Sequence, residues 1–142
     1  MHRKKFIKTG CTVCLGAMAG ISFLSLLEGC ATGKIIKQEA IENKLTVSTT
    51  DFEENKSFII IRTKSLSYDI LVHRNADQTY TALYMQCTHY DNPVFANNKE
   101  IFCPSHGSIF DFTGKVLKEP ATTNLKQYKT EVSGTSISIY LT

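Results

Sequence analysis

Two short boxes contain the residues whose types and spacing could do chemistry: CTH at 87–89 and CPSH at 103–106. Together they hold two of the five cysteines of the chain and two of its four histidines. Two soft sulfurs and two imidazole nitrogens suit zinc or an iron–sulfur cluster. The candidate metal ligands are Cys87, His89, Cys103 and His106.

The order of the donors separates these two kinds of centre. A two-Cys, two-His zinc finger keeps its cysteines together and its histidines together on a helix. Here each box offers one cysteine and one histidine, and the one-residue gap of the first box indicates a loop or a strand end. Two similar loops of this kind fit a binuclear centre, in which one iron takes both sulfurs and the other takes both nitrogens.

The segments that must position these boxes are predicted to be β-strands. LTVST at 45–49 alternates between apolar and polar residues, and SFIIIRT at 57–63 is rich in β-branched residues. Polar turns join YDILVHR to TYTALYM and LKQYKTEV to SISIYLT, which predicts two hairpins. Because no window of ten or more residues has a helical period, we expect an all-β domain over 44–142.

The excess of positive charge lies at the N-terminus. The chain has a formal net charge of +3, and all of it comes from residues 1–29. The rest of the chain therefore lacks the basic surface that nucleic acid requires, and no nucleic-acid partner is expected. A basic start followed by an apolar run is typical of an export signal or a membrane anchor, which we assign to 1–29.

Two patterns in this leader bear on how the chain is exported and attached. RKKFIK at 3–8 resembles the twin-arginine export signal with Lys in place of the second Arg, and an ordinary basic start is the alternative. LEGC at 27–30 resembles a bacterial lipobox, which predicts lipidation of Cys30. An uncleaved anchor helix and simple cleavage are the alternatives. All of them predict an exported, membrane-associated protein, with 30–43 as a tether.

A second pair of cysteines lies within the leader. Cys11 and Cys14 form a CxxC, a spacing that redox proteins place at the start of a helix beside a sheet. Here the pair falls inside the apolar run. We therefore interpret both residues as small apolar members of the export signal.

The two boxes and their surroundings resemble the Rieske [2Fe–2S] fingerprint, C-x-H…C-P-x-H-G-S-x-[YF]-D-x-x-G. This chain reads CTH at 87–89 and CPSHGSIFD at 103–111, with Gly114 beyond. The likeness continues downstream through EPA at 119–121, where the family has its proline loop. The resemblance implies a Rieske-like antiparallel β-sandwich with a small cluster-binding subdomain of two loops.

The resemblance also implies a cofactor and a role for each ligand. One [2Fe–2S] cluster would be bound per chain, with Cys87 and Cys103 on one iron and His89 and His106 on the other. The histidine-bound iron would face a partner. Neutral histidines in place of two thiolates leave such a cluster less negative, so Rieske potentials lie at roughly −150 to +300 mV, against about −400 mV for plant-type ferredoxins.

The chain departs from the respiratory members of this family at two cysteines. Those members carry a disulfide between a cysteine five positions after the first ligand and one inside the second box. Here these positions are Asn92 and Ser105. The resemblance therefore implies cluster loops without a disulfide, held by their ligands, by Pro93 and Pro104, and by backbone hydrogen bonds.

A further departure concerns the tuning of the cluster. High-potential members use a serine and a tyrosine after the second box as hydrogen-bond donors. Ser108 keeps the first donor, whereas Phe110 has no hydroxyl and also suits a place in the core. A hydrogen bond to a charged acceptor contributes roughly 1.5–3 kcal/mol, so one lost donor lowers the potential by about 100 mV at most. We expect a potential below that of quinol-oxidising Rieske proteins.

Other polar residues near the boxes are expected to have structural roles. His73 falls on a predicted strand, and Asp91 and Asp111 are interpreted as loop and turn residues. The sequence has no nucleophile–base pair and no phosphate-binding glycine loop, so no catalytic residue is assigned.

The sequence is compatible with several redox functions. The first is a membrane-tethered carrier that passes single electrons to or from a partner subunit or a cytochrome. The second is the quinol-oxidising iron–sulfur subunit of a cytochrome bc-type complex, to which the missing disulfide and Phe110 are poorly suited. The third is the small Rieske subunit of a molybdenum oxidase. The catalytic domain of a Rieske oxygenase is excluded by the length of the chain.

Overall fold

The computed structural model describes residues 33–142, which form a nearly all-β domain, so the predicted fold class is confirmed. Thr49–Asp51 form a 3₁₀ turn. The strands are β1 Lys34–Lys37, β2 Lys44–Ser48, β3 Phe58–Arg62, β4 Ile70–Arg74, β5 Tyr80–Tyr84, β6 Phe95–Ala96, β7 Ile101–Phe102, β8 Ile109–Phe110, β9 Val116–Lys118, β10 Gln127–Ser133 and β11 Ser136–Tyr140. The predicted export segment with Cys11 and Cys14, and the candidate lipid site Cys30, lie outside the described residues.

Both predicted hairpins are present. β4 and β5 pair antiparallel from Ile70↔Tyr84 to Arg74↔Tyr80. β10 and β11 pair antiparallel up to Ser133↔Ser136. The second hairpin closes with Gly134 at φ +59°, a left-handed conformation that glycine adopts without the steric cost of a Cβ atom.

The strands β3, β4 and β5 form a central layer that is buried on both faces. On one face, residues such as Ile59, Ile70 and Ala82 pack against β2 and β11 in the larger core. On the other face, Leu71 and Leu83 pack beneath the candidate ligand boxes in a second core. Strands buried on both sides have continuous apolar runs, which explains why FIII and ILV do not alternate with polar residues.

β10 closes the sheet into a sandwich. Its first two residues, Gln127 and Tyr128, pair with β5, and its remainder pairs with β11. The resulting seven-stranded order is β1-β3-β4-β5-β10-β11-β2. β10 therefore belongs both to the central layer and to the layer of β2 and β11. The larger core lies between these two layers, which β10 joins through backbone hydrogen bonds.

The segment predicted as a tether contributes a strand to the fold. β1 lies in this segment and pairs parallel to β3, from Lys34↔Ile59 to Lys37↔Arg62. Ordered structure thus begins before Lys44, the expected start of the domain, and this pair is an exception to the antiparallel arrangement. Over 33–142, no helix has the length and apolar character needed to span a bilayer.

A second, smaller sheet carries the ligand boxes. Its four short strands are ordered β6-β7-β8-β9 and are antiparallel throughout. The turn between β6 and β7 is held by Asn97, whose Oδ1 accepts hydrogen bonds from the N–H groups of Lys99 (2.8 Å) and Glu100 (3.0 Å). This turn makes the connection between the two boxes tight.

Candidate metal centre

The first box lies on a loop that leaves the end of the central layer. The N–H of Cys87 donates to the carbonyl oxygen of Asn92 (2.8 Å), and the N–H of Asn92 donates to that of Tyr90 (2.7 Å). A backbone bridge between Gln86 and Pro93 closes the base of this loop. The loop turns the Cys87 side chain inward, where it is only 3% exposed, while His89 is exposed.

The second box lies on a similar loop between β7 and β8. The N–H of Cys103 donates to the carbonyl oxygen of Ser108 (2.9 Å), and the N–H of Gly107 donates back to that of Cys103 (3.0 Å). Gly107 adopts φ +82°, which favours glycine at this turn. Cys103 is 1% exposed and His106 is exposed, so the second loop repeats the burial pattern of the first.

The four candidate ligands therefore meet as two inner thiols and two outer imidazoles. The rings of His89 and His106 lie edge to face with 5.0 Å between their centroids. Within residues 33–142, no three His, Cys, Asp or Glu side chains converge as ligands of one metal ion. A [2Fe–2S] cluster takes two protein donors per iron, so two thiols and two imidazoles supply a full set of protein ligands.

The environment of the Cys103 thiol stabilises its thiolate form. Burial by itself raises the pKa of Cys103. Hydrogen bonds from the backbone N–H groups of Ser105 and His106, and from the side chains of Cys87 and Ser105, outweigh that effect, so the pKa of Cys103 lies below its ordinary value. Thiolate is the form that binds a metal, and the donors stabilise it.

Comparison with known proteins assigns this arrangement to a family. The model of the Rieske [2Fe–2S] domain family matches residues 34–129. The chain belongs to the Rieske [2Fe–2S] domain family. The Rieske cofactor is a [2Fe–2S] cluster, and the donor set of this domain, two buried thiols and two exposed imidazoles, fits such a cluster.

Individual relatives match this chain over different fractions of their own length. The cyanobacterial plasma membrane Rieske protein PetC3 from Synechocystis PCC 6803 is 33% identical, with a TM-score of 0.57 over 67% of this chain and 97% of that one. A cytochrome b6-f complex iron-sulfur subunit from Chlorobaculum thiosulfatiphilum is 38% identical over 74 residues, which are 50% of this chain. The match spans only 40% of that curated relative.

More distant structures share the fold of this Rieske domain. In the complex of reduced oxygenase and oxidized ferredoxin of carbazole 1,9a-dioxygenase, one chain is 21% identical, with a TM-score of 0.56 over 71% of this chain and 95% of its own length. At that identity the likeness concerns the architecture alone. The sandwich and the small loop-bearing sheet are thus common to Rieske domains of different identity.

The two loops of this Rieske domain are joined without a disulfide. Among residues 33–142, Cys87 and Cys103 are the cysteines, and both are free thiols. A third loop, which we define as residues 119–124, contacts the first box and Ser108, which follows the second box. The hydroxyl of Thr88 donates to the carbonyl oxygen of Thr123 from the first box, and Ser108 Oγ accepts from the N–H of Ala121 (3.0 Å) after the second.

The two residues expected to tune the cluster are both fully buried. Ser108 Oγ uses one acceptor site for the N–H of Ala121, which leaves its own O–H proton to donate elsewhere. Phe110 is in β8 and packs in the second core with Leu83 and Ile101. Its position agrees with the expected core role, and its ring brings no polar atom to this face.

The acidic residues near the boxes hold loops in place. Asp91 Oδ1 accepts hydrogen bonds from the hydroxyl of Tyr68 (2.8 Å) and from Gln86 Nε2 (2.7 Å). Asp111 Oδ1 accepts from the N–H and hydroxyl of Thr113 and from the N–H of Lys115, as in a turn. Both agree with the loop and turn roles expected from the sequence.

Two contacts at this site could not be found from the sequence. Thr88 lies inside the first box, but its partner Thr123 is 35 residues away. Tyr68 is 23 residues from Asp91. No local pattern relates such pairs, because each depends on how the sandwich brings distant loops together.

Proposed function

We propose that this protein passes single electrons through a [2Fe–2S] cluster bound by Cys87, Cys103, His89 and His106. The observation that supports this assignment is the common geometry of the two loops, each with a buried thiol behind an exposed imidazole. When bound, such a cluster supplies a one-electron redox couple. The chain holds the thiols in a low-solvent interior and presents both imidazoles at the surface, where a partner can approach.

The ligand assignment is tested by the metal content and spectrum of the purified protein. We expect two irons per chain and the EPR signal of a reduced Rieske cluster. His106→Ala and Cys103→Ala should each lose both, whereas His73→Gln should keep them because His73 is on β4, away from the boxes. A colourless protein that contains zinc and resists loading with iron would contradict the proposal.

The attachment of the domain to a membrane is part of the same proposal. Support comes from the basic start and apolar run of residues 1–29 and from the lipobox-like LEGC at 27–30. The similar PetC3 is described as a plasma membrane Rieske protein. Membrane fractionation, with intact mass measurement of the extracted protein, distinguishes lipidation of Cys30 from an uncleaved anchor and from simple cleavage.

A second candidate function is quinol oxidation within a cytochrome bc-type complex. It is favoured by the match to a cytochrome b6-f complex iron-sulfur subunit, although the match spans a minority of that protein. The absence of a hydroxyl at Phe110, and of a disulfide among residues 33–142, favours the carrier. We expect the potential, titrated by EPR, to lie below about +250 mV; a higher value would favour quinol oxidation. Co-purification with a membrane cytochrome b would do the same.

A further inference from the structure

An apolar groove of about 540 Å³ lies beside the cluster-binding subdomain, outside the ligand boxes. One wall is formed by Ile35 of β1 and Ile60 of β3, which are direct cross-strand partners. Val94, which precedes β6, and Phe95, the first residue of β6, also line the groove. The volume falls within the roughly 300–1,000 Å³ that is usual for ligand sites, which are mostly apolar.

The rim of this groove exposes apolar surface. Ile35 is 51% exposed and Phe95 is 50% exposed, and both line the groove. The charged residues that line it are Arg62 and Asp69, which form an ion pair with 2.7 Å between Nη2 and Oδ2. Because these charges neutralise each other, the groove suits an uncharged apolar occupant better than a charged peptide.

The chain enters the described domain at this groove. Gly33 lines it, and the backbone there lies so close to the ring of Phe58 that a Cβ atom at Gly33 would be 2.6 Å from Phe58 Cε2. This contact fixes the point at which the preceding residues reach the domain. Cys30 is three residues before Gly33, a separation that an extended chain can span only up to about 11 Å.

We propose that the groove holds an ester-linked acyl chain of a diacylglyceryl group on Cys30. This inference rests on the lipidation of Cys30 that is part of the proposed function. A lipid attached there begins within reach of the groove, and transfer of methylene groups from water to its walls is favourable. The occupied groove would fix the orientation of the domain relative to its own anchor, with Pro93 of the first cluster loop on the groove wall.

The test uses the full chain, processed by the exporting cell and extracted as holoprotein in detergent. Intact mass first establishes whether Cys30 carries the lipid and whether 1–29 has been removed. Amide hydrogen exchange is then compared before and after a lipase hydrolyses the ester-linked acyl chains. We expect faster exchange in β1 and β6 after lipase treatment and no change in the β10–β11 hairpin, because β1 and β6 contribute residues to the groove and β10 and β11 contribute none.

A matched pair of variants locates the effect. Ile35→Glu places a charge on the rim and should abolish the lipase-dependent change. Val132→Glu is the control, since Val132 is also an aliphatic β-strand residue, is 50% exposed and is not among the groove residues. Val132→Glu should keep the change at its wild-type size.

The possible failures are distinguishable. If the mass includes the lipid but lipase leaves the exchange of β1 and β6 unchanged, the groove proposal is wrong and the lipid anchor stands. If the mass includes no lipid, both the lipid anchor and the groove proposal are wrong. If the leader is retained and the groove strands are protected, the leader is the occupant and the acyl proposal is overturned.

Discussion

Ser108 is the residue at which the packing of the site and its redox chemistry meet. Its side chain is fully buried, and its Oγ accepts a hydrogen bond from the N–H of Ala121. A hydroxyl that accepts in this way still has its own proton to donate. We expect that proton to stabilise the sulfur atoms of the reduced cluster, in which case one side chain would both hold the third loop and raise the potential.

Ser108→Ala is expected to lower the reduction potential by up to about 100 mV, because it removes one donor to a charged acceptor. It should also destabilise the domain by roughly 1–3 kcal/mol, since the N–H of Ala121 loses its partner. EPR redox titration and thermal unfolding measure the two effects. Thr122→Ala, at an exposed position of the same loop, is the control. An unchanged potential in Ser108→Ala would limit Ser108 to a structural role.

Phe110→Tyr is expected to change the potential in the opposite direction. The ring is fully buried in the second core, and a hydroxyl there supplies the donor that this chain lacks. The potential should rise by up to about 100 mV. The measurement is an EPR titration against wild type, with the unfolding temperature as a check on packing. A potential that falls or stays constant in a folded variant would show that the added hydroxyl does not reach the cluster.

At the scale of elements, the third loop connects the two loops that carry the boxes. In respiratory members of the family, the resemblance assigns that connection to a disulfide. The third loop contacts the first box through Thr88 and Thr123 and the residue Ser108 after the second box through Ala121. Each contact is a hydrogen bond and not a covalent bond. The three loops therefore depend on one another, and loosening one contact should expose the cluster ligands to solvent.

Thr88→Val tests this dependence. Valine matches threonine in shape but cannot donate to the carbonyl oxygen of Thr123. We expect the cluster to be lost several-fold faster in the presence of an iron chelator, as about 1 kcal/mol of net hydrogen bonding corresponds to a factor of about five. Decay of the visible absorbance gives the rate. Thr122→Val should decay at the wild-type rate, and equal rates for Thr88→Val would contradict the role of the third loop.

The elements also differ in how far the sequence predicts them. The hairpin at Arg74↔Tyr80 and the one at Gly134 follow from local turn chemistry and strand composition, and both were predictable. The tether predicted over 30–43 leaves room for a short strand, but the pairing of β1 with β3 is not predictable from KIIK, because the two strands lie more than twenty residues apart. The two-residue strands β6, β7 and β8 are too short for any periodicity to be visible.

At the scale of the whole molecule, a stack of rings joins the sandwich to the cluster-binding subdomain. Phe112 follows β8, and its ring stacks on His73 of β4, with 4.3 Å between centroids. The Phe112 ring also stacks on Phe58 of β3, with 5.8 Å between centroids. Burial lowers the pKa of His73, Arg74 lowers it further, and a hydrogen bond with Asn75 opposes both. The junction therefore favours a neutral imidazole.

This junction predicts a pH dependence of stability. The pKa of His73 is lower in the folded state than in the unfolded chain, where it is about 6.5. Its contribution to stability is thus complete above that value and is lost as the pH falls through the folded pKa. Between about pH 7.5 and about pH 5.5, the unfolding temperature of wild type should fall more than that of His73→Phe. Parallel curves for the two proteins would contradict this role of His73.

The free state of both cysteines in residues 33–142 has a consequence for how the domain is made. Among these residues, a thiol reductant has no disulfide to reduce, and no cysteine pair has to be oxidised to a disulfide for folding. The two thiols are the proposed metal ligands, and they form no disulfide with each other. A domain of this kind can be folded and loaded with iron in a reducing compartment, and dithiothreitol should leave the lifetime of its cluster unchanged.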